Sequence, residues 1–543
     1  MLSTKNYKQF QIVDLSGQIL HEFEGATLAN KALPGDSVRL KMPEKMVELV
    51  NRRENRLLVG VLCLTSKYMY GMTGHGVPIY LCEPMNKGYP SFRVACKEKD
   101  RSTNLLISFH FDSWDDDSEL PRGGLAEILG PVEDPRAEAL ALALIASPKS
   151  APRPPMLPMI TDIKRPKLTT GTFNIDPPGC KDIDDVITLE RVDDKIWKIV
   201  VTIADVAEMV RPPSPQWTVA RIAGATVYQD GAVVRPMLHR HLSEEVCSLL
   251  PGKLRYGLAL VAFWEQGRLS TPFFQKVLVT NQESYTYESI YKSKTVPLDI
   301  LKCICSEIAG RSILDSHEWI EQLMLWYNRT AAKVLRDMGA GLLRRHDAPF
   351  QERRAQVLHI SPQLEFLAYK SAEYCAASAR DVVHHGLSSD LYCHASSPIR
   401  RFADLLNQTV IKRWLDGENF RVRHISPDDN FEKLAIDLNR RQKEIAAHDR
   451  HYALLTAIHG AVRLDITGTV LWLDGAKVAL WIDEWKTLIR IRVPSDSTYR
   501  PGAKIGLRYF CDRRKAQWKE KILYEIIKTP GNTSVEGRTE LQK

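Results

Sequence analysis

The sequence contains no run of about 18 uncharged apolar residues, the least that crosses a bilayer as a helix, so a membrane-spanning protein is excluded as a reading. Its 10 cysteines lie singly apart from Cys303 and Cys305, with no C-x-x-C and no paired metal-ligand spacing. That usage gives neither a disulfide framework nor a zinc site, and implies reduced, mostly buried thiols. The first residues, MLSTKNYKQFQIVDLSGQ, have neither the apolar core of a secretory leader nor the Arg-rich, acid-poor character of a transit peptide, so a cytoplasmic location is expected. There is no internal repeat, and low complexity is confined to six prolines between Pro148 and Pro166.

What remains is the composition of an ordinary globular protein, 44% hydrophobic and 26% charged, in a chain of 543 residues that exceeds what one core supports. Short alternating runs (QFQIVDL, DSVRLKM, LLVGVLCL, LLISFHF) broken by Gly and Pro turns predict two small antiparallel barrels. They are placed at 1–67 and 68–147, although strand-like residues of the second begin near Arg56, and the helix DPRAEALALALIA closes the pair. A stiff linker follows over 148–168. Strand-like runs and then long helical ones over 169–460 predict one large α+β core. Residues 461–543 return to short strands and read as a five-stranded OB-type barrel, a fold that suits single-stranded nucleic acid. The fold class is thus multidomain α+β, a core flanked by small β-barrels at both ends. The formal net charge is +8, and residues 463–543 carry 16 Lys and Arg against 10 Asp and Glu, which suggests a polyanion partner or simply a solvated surface.

Two constellations carry chemistry. In NIDPPGCKDIDDVITLE, Asp176, Asp182, Asp184 and Asp185 crowd within ten residues ahead of an apolar strand. Such carboxylates do not all stay ionised without compensating cations, and hard oxygen ligands suit Mg²⁺ or Mn²⁺; an Asp-rich exposed turn is the plain alternative. In CHASSPIRRFADLLNQ, Ser397 and Pro398 read as a helix start that puts Arg400 and Arg401 in the first turn. Two cations there oppose the helix dipole, which a shared phosphate would offset; pairing of both with Asp404 or solvent is the alternative.

These stretches resemble the RNase II exoribonucleases, the family built on the RNB catalytic domain together with ribonuclease R and the eukaryotic exosome nuclease. Its signature stands here as IDPPGCKDIDDV followed by VTIADVAEMV, and its later hallmark as SSPIRRFAD preceded by HHGLSSDLYCH. Departures such as Val186, Ser396 and Phe402 remove no carboxylate. The resemblance implies an RNB core at 169–460 between cold-shock-like barrels and a carboxy-terminal RNA-binding barrel. It implies processive, hydrolytic 3′-to-5′ degradation of single-stranded RNA to nucleoside 5′-monophosphates with Mg²⁺ (or Mn²⁺). Asp176 and Asp185 would hold one ion, with Asp182 and Asp184 binding or positioning a second. Arg400 would contact the scissile phosphate, beside Arg401 on the RNA. Tyr228 and Tyr287 would stack on terminal bases, with Tyr285 a competing choice for the latter. Glu321 would serve at the active-site end, or be an ordinary helix-surface carboxylate. No protein partner is indicated and a monomer is expected. The rival is an RNB-fold protein that binds RNA without cutting it.

Overall fold

The computed structural model describes all residues except 5, 15–17, 42–45, 53–56, 148–151, 155–159, 161–163, 418–429, 459–462, 476, 494–498, 513–520 and 528–543. The chain divides into two compact units. One comprises Met1–Pro148, Gln351–Glu365 and Glu444–Lys543; the other comprises Lys149–Phe350 and Phe366–Lys443. No helix among the described residues is long and apolar enough to cross a membrane.

In the first unit, Leu2–Thr4, Gln9–Val13 and Ile19–Glu24 form a three-stranded sheet, and Ser37–Lys41 pairs with Met46–Asn51. Phe10, Phe23 and Val47 fill their shared core. The next five strands, Leu57–Leu62, Ile79–Pro84, Phe92–Ala95, Leu105–Ser113 and Arg122–Pro131, close into a barrel around Tyr80, Phe92 and Phe109. Leu57–Leu62 hydrogen-bonds to Ile79–Pro84 and Leu105–Ser113. A border at 67/68 would cut this barrel, which begins ten residues earlier because the continuously buried strand Leu57–Leu62 is needed to complete the ring. The helix Pro135–Ala146 follows, its first turn capped by Asp134. The described carboxy-terminal strands form a five-stranded antiparallel sheet with its own core of Val470, Leu480 and Leu507. The helix Gln351–Ile360 packs on its strand Arg463–Asp474. Two segments of the expected continuous 169–460 core, 351–365 and 444–460, therefore belong with the first unit.

The second unit is built on an eight-stranded sheet. Asp185–Arg191 lies inside it, antiparallel to both Thr172–Ile175 and Ile196–Ala204, and Leu254–Glu265 and Phe273–Thr280 continue beyond. Val186, Ile187 and Leu189 are buried, which is why the run after the aspartates is apolar on both faces. The helix Ser316–Met338 starts on the cap Asp315 and packs the stripe Trp319, Leu323, Tyr327 and Ala331 inward at four-residue spacing. The helix Phe402–Leu415 is buried along nearly its whole length. It begins at Phe402 rather than at Ser397. Residues 397–401 form a tight turn in which the Arg401 N–H donates to the Ser397 carbonyl at 3.0 Å.

Candidate active site

The carboxylate loop connects two neighbouring strands and is pinned at its centre. Ile183 is buried; its N–H donates to Ser248 Oγ at 2.9 Å, and its carbonyl accepts from the Leu249 N–H at 3.0 Å. Asp182 and Asp184 flank this anchor, and at a period of two their side chains leave the opposite side from Ile183. The turn Pro177–Cys180, with Gly179 at φ 79°, returns Asp176 toward them.

The arginine turn meets this loop. Asp184, 6% exposed, accepts the Ile399 N–H at 3.1 Å on Oδ1 and Arg400 Nε at 3.1 Å on Oδ2. Arg400 also donates through Nη2 to Ser397 Oγ at 3.0 Å, while 42% of its side chain stays exposed and Nη1 has no hydrogen bond among the described residues. Arg401 is committed elsewhere. It forks onto the fully buried Asp404 through Nε and Nη2, both at 2.8 Å, and Asp404 takes the Ser397 N–H at 2.8 Å as well. Placing Arg401 on the RNA is therefore corrected: its guanidinium neutralises Asp404 and fixes the turn that aims Arg400 and the Ile399 N–H at Asp184.

The electrostatics show an excess of buried negative charge. Burial pushes Asp184 up to about 7 against the pull of Arg400 and the Ile399 N–H. Asp185 is raised well above the carboxylate range by burial and then by Asp176 and Asp184. Asp176 is raised by burial and by Asp182, opposed by an N–H from Asn174 and by Arg400. Among the described residues no three His, Cys, Asp or Glu groups are arranged to hold a metal ion, so the expected convergence of four aspartates on one point is not formed. Asp184 is turned to Arg400, and Asp182 Oδ2 accepts the Tyr228 hydroxyl at 3.1 Å. The donor set still fits a hard divalent cation: Asp176 and Asp185 offer carboxylate oxygens whose mutual repulsion a cation would relieve.

Of the aromatic candidates, Tyr228 is held at the cluster by Asp182. Tyr287 also lies within the field of Asp176 and Asp185, which with burial raise its phenol. One face of its ring is covered by His317, stacked at 3.8 Å between centroids and 10° between planes. Tyr285 is turned away, its hydroxyl shared among Glu283, Ser293 and Thr295. Glu321 is exposed on the helix Ser316–Met338 and its carboxylate makes no hydrogen bond or ion pair among the described residues. It lies at a helix-surface position, one residue past the inward-facing Ile320. Sequence reasoning missed His317, the Ile399 N–H and the asparagine beside Asp176; only the last carried a signal, a polar residue inside an otherwise buried strand.

Known proteins share the fold and parts of the sequence. Residues 166–296 and 294–417 match the RNB domain, and 79–146 match the Dis3-like cold-shock domain 2. The chain is thus similar, over these residues, to proteins built on the RNB domain. It is 25% identical over 442 residues to the exosome complex exonuclease dis3 of Schizosaccharomyces pombe, an alignment covering 62% of this chain and 45% of that protein. It spans about half the length of the curated relatives it matches first. Among solved structures, Mycoplasma genitalium RNase R in complex with ribose-methylated single-stranded RNA superposes with a TM-score of 0.71 at 19% identity, covering 94% of this chain and 97% of that one. Yeast Ssd1, described as a pseudonuclease, superposes with a TM-score of 0.63 at 15% identity over 94% of this chain and 81% of that one.

Proposed function

We propose that the chain is a divalent-metal-dependent exoribonuclease that hydrolyses single-stranded RNA from the 3′ end and releases nucleoside 5′-monophosphates. The fold alone does not decide this, since a pseudonuclease shares it. The observation that carries the reading is the junction of Asp184 with Arg400 beside the under-neutralised Asp176 and Asp185.

Asp176 and Asp185, with Asp182 beside them, would hold Mg²⁺ or Mn²⁺, and a bound divalent cation supplies Lewis acidity and charge neutralisation for phosphodiester hydrolysis. The chain's own residues supply the rest. Asp184 fixes the Arg400 plane through Nε, which leaves Nη1 for a phosphate oxygen and lets the guanidinium offset charge developing at phosphorus. Hydrolysis breaks the P–O3′ bond, leaves a 3′-hydroxyl on the shortened RNA and puts the water oxygen on the released 5′-phosphate. Tyr228 and the open face of Tyr287 offer sequence-tolerant stacking, as an enzyme accepting every base requires.

The test uses 5′-labelled poly(A) RNA with Mg²⁺. The label is expected to end in one short limit product while mononucleotides accumulate, and Asp184→Asn is expected to stop cleavage while RNA still binds. Intact RNA, or equal degradation of matched DNA, would sink the proposal.

A further inference from the structure

Asp176 is tied to the rest of the sheet by a chain of buried amides. Asn281, directly after the strand Phe273–Thr280, is 1% exposed. Its Nδ2 donates to the Leu249 carbonyl at 2.9 Å and to Asn174 Oδ1 at 2.8 Å. Asn174, also 1% exposed, donates through Nδ2 to Asp176 Oδ2 at 2.8 Å. We propose that Asn281 and Asn174 are positioning residues that orient the Asp176 carboxylate for a hard divalent cation, through a one-way chain of hydrogen bonds anchored on the Leu249 carbonyl. The inference rests on the reading of Asp176 as a cation ligand.

The direction of the chain follows from donor and acceptor chemistry. A main-chain carbonyl only accepts, so the Asn281 amide must present its nitrogen to Leu249. Both hydrogens of that nitrogen are then used, one on Leu249 and one on Asn174, which forces Asn174 to present its oxygen inward. The Asn174 nitrogen is left facing Asp176, which must accept. Flipping either amide would set two acceptors or two donors against each other. The arrangement is not the cheapest way to fill this space, because Asn281 Oδ1 is buried without a hydrogen-bond partner among the described residues. An apolar pair would avoid that penalty but would leave Asp176 untied.

The anchor also explains why the chain runs to Leu249. The same main-chain segment holds the other half of the carboxylate loop, since Ser248 Oγ and the Leu249 N–H bracket Ile183 between Asp182 and Asp184. Ser248 and Leu249 are buried. One rigid segment therefore sets the Asp182–Asp184 side directly and the Asp176 side through two amides. Partners that orient a metal ligand in this way typically govern metal affinity by 10- to 100-fold.

The test compares the 543-residue protein with Asn281→Leu, which removes the anchor, and Asn174→Ser, which leaves Asn281 on Leu249 and removes both bonds of the Asn174 amide, the one from Asn281 and the one to Asp176. Mn²⁺ binding is measured by calorimetry, melting is followed in EDTA, and RNA cleavage is titrated with Mn²⁺. Both variants are expected to bind Mn²⁺ about 10- to 100-fold more weakly, with kcat reduced, KM for RNA unchanged, and cleavage restored by excess Mn²⁺. A purely structural role would lower melting and RNA affinity together with no rescue by Mn²⁺, and would overturn the inference. So would unchanged Mn²⁺ affinity in Asn174→Ser beside a wild type that binds Mn²⁺ and cleaves RNA. A wild type that neither binds Mn²⁺ nor cleaves RNA overturns the functional reading itself, and the inference with it.

Discussion

The helix behind the arginine turn is held to the sheet by a buried ion cluster, and replacing Glu208 by Gln measures it. Lys412 reaches Asp205 and Glu208, both at 2.7 Å, and Arg165 reaches the same two carboxylates at 3.0 and 2.6 Å. Arg211 adds a further contact to Glu208. Burial alone would raise Glu208, but Lys412 and then Arg165 outweigh it and bring its carboxyl from an ordinary 4.5 down to about 2. Its side chain is 16% exposed, so solvent screens this little. A depression of that size is worth about 3 kcal/mol at neutral pH. Because the folded value lies below the unfolded one, the contribution is complete above pH 4.5 and is lost as pH falls toward 2. At pH 7, Glu208→Gln should therefore lower the melting temperature of the catalytic unit by about 6–12 °C, taking 2–4 °C per kcal/mol for a domain of this size. Calorimetry at pH 7, 5.5, 4 and 3 should show the gap between wild type and variant closing below about pH 4.5. A gap below about 2 °C at pH 7, or one that is constant or widening toward pH 3, would refute the reasoning.

Asp404→Asn should destabilise by about 3 kcal/mol, since it strands the Arg401 guanidinium, and should abolish cleavage through loss of the turn; thermal melting and a cleavage assay check both. Glu321→Gln should leave cleavage within about twofold of wild type, because the carboxylate is solvent-exposed; a loss beyond about tenfold, or about 1.4 kcal/mol, would return it to the site. Arg490 and Arg492 are exposed on the strand Thr487–Arg492, and changing both to Gln should weaken RNA binding and flatten its salt dependence without changing kcat. Equal slopes of log affinity against log salt would remove that sheet from the RNA path. Point substitution is preferable to truncation here, because deleting the carboxy-terminal strands would strip Lys521 from the buried Glu138 and uncover the helix Gln351–Ile360.

The parts of the site legible in the sequence are those encoded locally. The apolar run Val186–Leu189 announced a buried strand, and the aspartates before it announced a demand for positive charge, partly met by Arg400. Tyr228 also falls at the cluster, in hydrogen-bonding reach of Asp182. What the sequence hid depends on distant partners. The two adjacent arginines look equivalent along the chain, and only Asp404, one helical turn further on, separates a guanidinium that faces the site from one that holds the turn. The aspartate of the IADV stretch, Asp205, is the buried partner of Arg165 and Lys412. Asn281 lies 107 residues from Asn174, beyond any local pattern. The barrel border was misplaced because Leu57–Leu62, a continuous apolar strand, carries no label for the sheet it joins. The excursion of Gln351–Glu365 into the flanking unit is likewise invisible in helical periodicity.

The central claim is hydrolysis at the 3′ end by the site that joins Asp184 to Arg400. It is tested most directly by digesting single-stranded RNA in ¹⁸O-enriched water with Mg²⁺ and weighing the released nucleotides. The account predicts nucleoside 5′-monophosphates carrying one ¹⁸O on phosphorus, absent when Asp184 is replaced by Asn. RNA that is bound but stays intact would contradict it. Products without ¹⁸O, or with the phosphate on the 3′ side, would contradict the proposed bond cleavage.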